Sequence, residues 1–431
     1  MKIAVIGEGL AGFSAALMAH EAGHQVTIYT KGMGGLALSN GPADVLGYLP
    51  DANAPISTDP YTEIGKLPEN HPYHTIGVEN VRGGIEWYRD TLADFWEPVK
   101  DGAGNVLLAT SIGSLRPAFL VPRSCAGGTL REGMKLLVVG LKQFKDFPAT
   151  MIADNLSCST ALKLSARAVT LDFSGRENEA DVTATDYARA FDVAELDSNR
   201  AAQMRADFAA LINGVVVEGE TVLIPAFMGL STETFEDFAA QVHAPVAEVS
   251  TVPPSILGRR IFDCLVKRCR DKRIDVHLNC AVLEAKSLDE HVTSLLVARA
   301  GGVDEVRIDA VLDAAGGILS GNLERDSHLK ITEEIFGLPV FSPEFVPATG
   351  IHEIDVENRQ DVERTLMSGV RVNANMLPLD EAGKVVFDNV YCLGEMIGGG
   401  APWRELSGEG IALGSAYAAV KALGTGERNA K

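Results

Sequence analysis

Several protein classes are marked by features this chain does not have. Basic residues are scarce: 38 Lys and Arg stand against 58 Asp and Glu in 431 residues, a formal net charge of −20. A field of that sign repels phosphate backbones and anionic lipid, which argues against nucleic-acid binding and direct membrane contact. Long apolar runs are also missing. The best, Leu136 to Leu141, contains Gly140 and stops at Lys142, well short of the ~18–20 residues of a spanning helix. Lys2 precedes an apolar stretch, but Glu8 interrupts it and no small-x-small cleavage site follows, so the expected location is cytoplasmic. The six cysteines include no C-x-x-C, and free thiols in a reducing compartment are expected. Cys264 and Cys269 stand about 140° apart around a helix, so an iron–sulfur site is not expected from them. No Ser-His-Asp or H-E-x-x-H pattern occurs. His71-Pro72-Tyr73-His74 has a metal-like spacing without accompanying ligands, and no metal site is expected.

What the chain does have is apolar mass and glycine. Hydrophobic residues make up 46%, with 43 glycines and a mean hydropathy of +0.09, enough to build large cores rather than a disordered chain. At ~100–200 residues per domain, the length suits two or three domains, or one large α/β domain with an insertion. Residues 2–31 read as a β-α-β unit. Lys2 to Ile6 is a short apolar strand, Leu10 to Glu21 an Ala-rich helix ended by Gly23, and Gln25 to Tyr29 a second strand. Five prolines between Pro50 and Pro72 then lead away through irregular structure. The middle alternates strands (Lys135 to Val139, Thr221 to Ile224) with helices (Asp146 to Leu156, Arg200 to Ile212, Ser255 to Cys269), with a polar excursion over Gly175 to Asp186. Near the end, strands are expected over Val306 to Leu312 and Val385 to Leu393, and a helix over Gly410 to Leu423 closed by Gly424.

Gly7-Glu8-Gly9-Leu10-Ala11-Gly12 is G-x-G-x-x-G placed between a strand and a helix. The first glycine permits the tight turn, the second a close phosphate approach, and the third close helix–strand packing. The helix N-terminus supplies unpaired N–H groups and a positive dipole end. An acid is expected at the end of the second strand to hold a ribose hydroxyl, yet Thr30 and Lys31 stand there. Either the cofactor carries no adenosine ribose, or a backbone carbonyl holds it. Ala314-Ala315-Gly316-Gly317 resembles the second glycine element of two-dinucleotide flavoproteins. Asn389 to Glu395 resembles their C-terminal element, in which an acid lies by the ribityl and phosphate groups. Ser407-Gly408-Glu409-Gly410 then opens a helix in which Gly410 and Gly414 allow close approach; its N-terminus, aimed at a flavin ring, would stabilise negative charge. These elements predict an α/β, Rossmann-like FAD/NAD(P)-binding flavoprotein fold. It is discontinuous, formed by 1–49 and 301–431, with an inserted α/β cap or partner domain over 50–300.

Further stretches carry a more specific resemblance: Ala4 to Gly12, Gly113-Ser114-Leu115-Arg116-Pro117, and Leu137 to Leu156 with Lys145-Asp146-Phe147. Val222 to Leu230, Thr251 to Gly258 and Leu312 to Leu323 complete the set. On these the chain resembles, nearly end to end, the B subunits of anaerobic, quinone-linked glycerol-3-phosphate dehydrogenase. The resemblance implies an FMN-associated subunit, with FAD as the alternative, paired with a larger FAD-bearing A subunit. Together they would oxidise sn-glycerol 3-phosphate to dihydroxyacetone phosphate. A membrane-anchoring iron–sulfur C subunit would hold the pair at the cytoplasmic face of the inner membrane and pass electrons to quinone. The absent acid at Thr30 suits FMN. Two other readings stay open, a cofactor-free structural subunit and a stand-alone FAD-dependent dehydrogenase of another small substrate. The candidate cofactor residues are Gly7, Gly9, Leu10, Ala11, Gly12, Thr30, Lys31, Ser39, Gly41, Gly316, Gly394, Glu395 and Gly410. Arg116 and Arg404 are candidate cations for a substrate or flavin anion, and no catalytic base stands out.

Overall fold

Strand β1 (Lys2–Ile6) is apolar on both faces because both are covered. Ala4 and Ile6 join a buried cluster with Val292, Leu295, Val297 and Val311. The first helix, α1 (Leu10–Glu21), is buried from Ala11 through Ala19, as an apolar helix without a polar stripe must be. Then come β2 (Gln25–Tyr29), α2 (Val78–Thr91), β3 (Asp275–His277), β4 (Ala310–Asp313), β5 (Val390–Cys392) and α3 (Gly408–Asn429). The strands form one parallel sheet in the order β5-β4-β1-β2-β3. An antiparallel meander over 281–307 supplies Val282, Val292, Leu295 and Val297 to the cluster against its face. The computed structural model describes residues 1–50, 55–56, 58–98, 104–174, 181–192, 197–328, 330–342 and 362–429. The first part of the expected polar excursion, 175–180, lies outside them.

Two compact units divide the chain: 1–35, 44–91 and 265–431 form the first, 36–43 and 92–264 the second. These bounds differ from the expected 1–49, 50–300 and 301–431, for identifiable packing reasons. Residues 78–91 belong to the first unit because the glycines of α2 lie against α3. A Cβ on Gly84 would stand 2.4 Å from the Leu413 carbonyl oxygen, and one on Gly83 would stand 2.7 Å from the Tyr417 ring. Residues 275–300 belong there because β3 extends the parallel sheet and the meander covers it. Residues 36–43 belong to the second unit. Ser255 N–H donates to the Ala37 carbonyl, and a Cβ on Gly41 would strike Leu257 at 2.5 Å.

The second unit is built on a four-stranded parallel sheet, ordered 165–171, 135–141, 220–225, 246–249. Its largely aliphatic core holds an aromatic cluster in which Phe144, Tyr187, Phe191, Phe208, Phe227 and Phe238 meet ring to ring. The expected strands and helices of the middle region are present, with ends moved by one to three residues. Three terminal expectations change. The strand expected over Val385 to Leu393 is only Val390–Cys392 (β5), with Val385 making an isolated bridge to Leu379 instead. Val306 to Leu312 is not one strand: the meander ends at Arg307 and β4 starts at Ala310, because Asp309 turns to bond the Lys2 backbone on both sides. The last helix starts at Gly408 and runs through Gly424 to Asn429.

Candidate functional site

The carboxyl ends of β1, β4 and β5 bring the glycine elements together. Gly7 turns the chain with φ +97°, and a Cβ there would stand 2.3 Å from the Ala314 carbonyl oxygen. Gly12 carries the helix past that turn, its Cβ position 2.1 Å from the Gly7 carbonyl oxygen. Gly394 (φ +65°) lies against Ala11, at 3.1 Å between the Cβ positions. Gly316 (φ +88°) and Gly317 lie beside Glu395, whose carboxylate accepts from Ser320 Oγ at 3.4 Å. Only glycine permits these backbones to cross so closely. Gly9 is different. A Cβ there meets nothing within 4 Å, and Gly9 stands immediately before α1, which has no side-chain cap and no acid in its first turn. Open space before uncapped helix N–H groups is the cradle a phosphate needs, so these residues fit a nucleotide-type cofactor.

The remaining sequence candidates fall in varied places. Leu10 and Ala11 open α1 beside Gly9. Thr30 is buried and closed on itself: its hydroxyl donates to the Gly32 carbonyl at 2.6 Å and accepts from Gly32 N–H at 3.2 Å. Lys31 is exposed. Ser39 and Gly41 belong to the second unit, with Gly41 N–H donating to Ser39 Oγ. Gly410 faces no open space, because a Cβ there would stand 2.0 Å from Tyr73 Oη; what requires a glycine at this position is a tyrosine ring. Arg116 is half-buried on a short strand of the second unit, and Arg404 pairs with Glu363 at 2.5 Å. The structure therefore brings Gly7 to Gly12, Gly316, Gly394 and Glu395 into one site.

Three buried acids of the first unit escape a reading of the sequence by motif. Glu8 sits buried within the glycine turn, and burial pushes its carboxyl up to about 7. Asp313, at the end of β4, is fully buried. Desolvation first, and the neighbouring Glu333 second, raise its pKa well above the usual carboxylate range. Its Oδ1 accepts from Ala315 N–H at 3.1 Å, while Oδ2 has no partner. Glu333 accepts from the N–H groups of Ile335, Phe336 and Leu338. An acid inside an apolar strand directly before Ala-Ala-Gly-Gly was the available signal. Glu405 is the third: it is buried against His71 at 3.0 Å, a pairing across 334 residues that no local pattern reveals. Among the described residues, no group of three or more His, Cys, Asp or Glu is placed to hold a metal.

A parallel sheet with glycine crossings at its carboxyl end, opening on an uncapped helix, defines a nucleotide-binding flavoprotein class. The family model for the FAD binding domain matches residues 2–411, and the chain belongs to that family. The cofactor class is accordingly a flavin. Among curated proteins, a probable B subunit of anaerobic glycerol-3-phosphate dehydrogenase from Halobacterium salinarum is 27% identical over 97% of this chain and 96% of that one. The B subunit of the anaerobic glycerol-3-phosphate dehydrogenase of Vibrio cholerae is 28% identical over 98% and 96%. Among solved structures, the 3-ketosteroid Δ1-dehydrogenase of Sterolibacterium denitrificans aligns over 98% of this chain and 99% of that one, with 9% identity and a TM-score of 0.44. Among the described residues, no helix is long and apolar enough to cross a membrane.

Proposed function

We propose that this chain is the B-type subunit of a flavin-dependent anaerobic glycerol-3-phosphate dehydrogenase, oxidising sn-glycerol 3-phosphate to dihydroxyacetone phosphate. Electrons pass to a quinone through partner subunits, an FAD-bearing A subunit and a membrane-anchoring iron–sulfur C subunit, so that attachment to the membrane is peripheral. The observation that carries this reading is the nearly full-length similarity to proteins named as that subunit, joined to the glycine crossings that fit a flavin nucleotide. When bound, the flavin supplies the acceptor for the hydride of the secondary alcohol. The chain's own part is to bind and orient it. Gly7, Gly9 and the N–H groups of Leu10, Ala11 and Gly12 would hold its phosphate. Gly316, Gly394 and Glu395 would take the ribityl side, and the first turn of α3, facing the ring, would favour negative charge there. Within the first unit, Arg404 is the cation for a substrate phosphate.

The family supports FAD as the flavin. The specific observation favouring FMN is Thr30, whose hydroxyl is spent on Gly32 and leaves no carboxylate for an adenosine ribose. The test is to purify the full chain, denature it and identify the released nucleotide. The chain is then assayed for glycerol 3-phosphate oxidation alone and co-expressed with its partners. Flavin release with turnover only in the assembly supports the proposal. A colourless chain that takes up no flavin, or full turnover by the lone chain, overturns it.

A further inference from the structure

Two glycines near the C-terminus, Gly399 and Gly410, are cleared for one distant segment, and Gly400 between them lies in contact with it. A Cβ on Gly399 would stand 2.2 Å from the Asn70 carbonyl oxygen, one on Gly400 would stand 3.5 Å from the Pro72 ring, and one on Gly410 would strike Tyr73 Oη at 2.0 Å. Residues 70–73 therefore clasp the turn that precedes α3. At the centre lies His71, 1% exposed, against Glu405, 3% exposed. Tyr73 N–H donates to His71 Nδ1 at 3.1 Å, so Nδ1 carries no proton and the ring donates from Nε2 to Glu405 Oε2 at 3.0 Å. That same oxygen accepts from Ser407 Oγ at 3.0 Å and from Ala401 N–H at 3.2 Å. The backbone carbonyl of Glu405 accepts from Gly47 and Tyr48 N–H at 2.7 and 3.0 Å. Next to Glu405, Leu406 adopts φ +52°, a left-handed conformation that a leucine keeps only when its surroundings impose it.

We propose that His71 is a positioning residue for the Ala401–Gly410 turn. It acts through Glu405 to hold the carboxylate that gathers the turn, and so sets where Arg404 and the first turn of α3 stand. This rests on the reading that the first turn of α3 faces the flavin. The bland role for His71 is to cap the short helix Pro72–Ile76 through Tyr73 N–H, and the two roles use opposite ring nitrogens. Glutamine places its amide where Nε2 sits and keeps the arm to Glu405. Asparagine places its oxygen where Nδ1 sits and keeps only the cap.

The test compares H71Q and H71N in the full chain by two readouts. One is the affinity for added FAD and for added FMN, followed by flavin fluorescence. The other is amide hydrogen exchange over 401–410 in the flavin-free protein. With positioning through Glu405, H71Q binds flavin within about threefold of the parent, while H71N loses about tenfold or more and exchanges faster over 401–410. An H71N protein matching the parent in both readouts, with H71Q impaired, overturns the proposal in favour of the cap. If the parent chain binds neither flavin, the functional reading fails and hydrogen exchange alone decides. Loss of protection in H71N alone then still supports positioning, and unchanged protection overturns it.

Discussion

Both units place a buried acid at or near the carboxyl end of a parallel sheet, and they treat it in opposite ways. In the second unit, Glu248 is gripped by Arg260, at 2.5 Å from Nη1 and 3.0 Å from Nη2, and also accepts from Met228 N–H. The Arg260 guanidinium turns its remaining donors on the carbonyls of Met228 and Gly229. In the first unit, Asp313 has one backbone N–H, one unpaired oxygen and, among the described residues, no cation; Glu333 beside it makes matters worse. A satisfied ion pair closes one sheet end with material from the chain itself. The other end, with uncapped helix N–H groups at Gly9 and open space beside them, is left for a ligand. The difference separates a structural sheet end from a binding one.

The largest effect should come from breaking the closed end. Replacing Arg260 with Met leaves Glu248 buried and uncompensated, which costs about 3–5 kcal/mol of stability; denaturant unfolding followed by aromatic fluorescence should show it. Neutralising both partners should restore part of the loss, since a pair removed together leaves no orphan charge. A single Arg260→Met variant as stable as the parent would end the assignment of this pair as the structural lock.

At the open end, two neighbouring glycines should respond differently to the same methyl group. Gly7→Ala meets the Ala314 carbonyl at 2.3 Å and a φ of +97°, so the fold should lose about 2–4 kcal/mol. Gly9→Ala meets nothing and adopts an ordinary φ of −75°, so stability should hold while flavin affinity falls about tenfold or more. Equal stability losses at both positions would show that Gly9 is packed rather than open.

Asp313 permits a third test, with a sign that distinguishes it from an ordinary acid. Its pKa is raised in the folded protein by burial and then by Glu333, so the folded state keeps a proton the unfolded chain releases. Stability from this group is present below the unfolded carboxylate pKa and is lost as pH rises above it, by up to about 1.4 kcal/mol per pH unit. Asp313→Asn carries the neutral form permanently and should flatten that alkaline loss. Unfolding midpoints across pH 5–9 with the same slope in both proteins would show that Asp313 is ionised in the fold.

Local chemistry was legible in the residues and distant packing was not. The bounds of β1, α1 and β2 followed from apolar runs punctuated by Gly7 and Gly23, because strand, turn and helix there are set by neighbours in sequence. The break between the meander and β4 was hidden because Val306, Ile308, Ala310 and Leu312 alternate as one continuous strand would, whereas Asp309 answers to Lys2 from the far end of the chain. Gly410 reads as room for a ligand until Tyr73 is seen to fill it. His71 reads as a loop histidine because its partner, Glu405, is 334 positions away. Thr30 is the converse case: its absent charge was visible at once, and its bonds to Gly32 are as local as its sequence position.

The smallest effect expected is at Glu8, and it bears directly on what the open end binds. The carboxyl lies in the glycine turn with no cation beside it among the described residues; its electrostatic neighbour is the Cys269 thiol, itself pushed up to about 12, mainly by burial. Desolvation holds the Glu8 pKa near 7, so it is mostly neutral at pH 6 and mostly charged at pH 8. A phosphate group at Gly9 would then meet a neutral turn at the lower pH and a like charge at the higher one. Flavin nucleotide affinity should therefore fall severalfold between pH 6 and 8, on the order of 1 kcal/mol. By linkage, the bound anion should push the Glu8 pKa further up. Glu8→Gln should bind at both pH values as tightly as the parent does at pH 6. Riboflavin, which carries no phosphate, should show no such pH dependence in either protein. Parallel FAD affinity curves for parent and variant would place the phosphate away from this turn and sever the link between the open end and the cofactor.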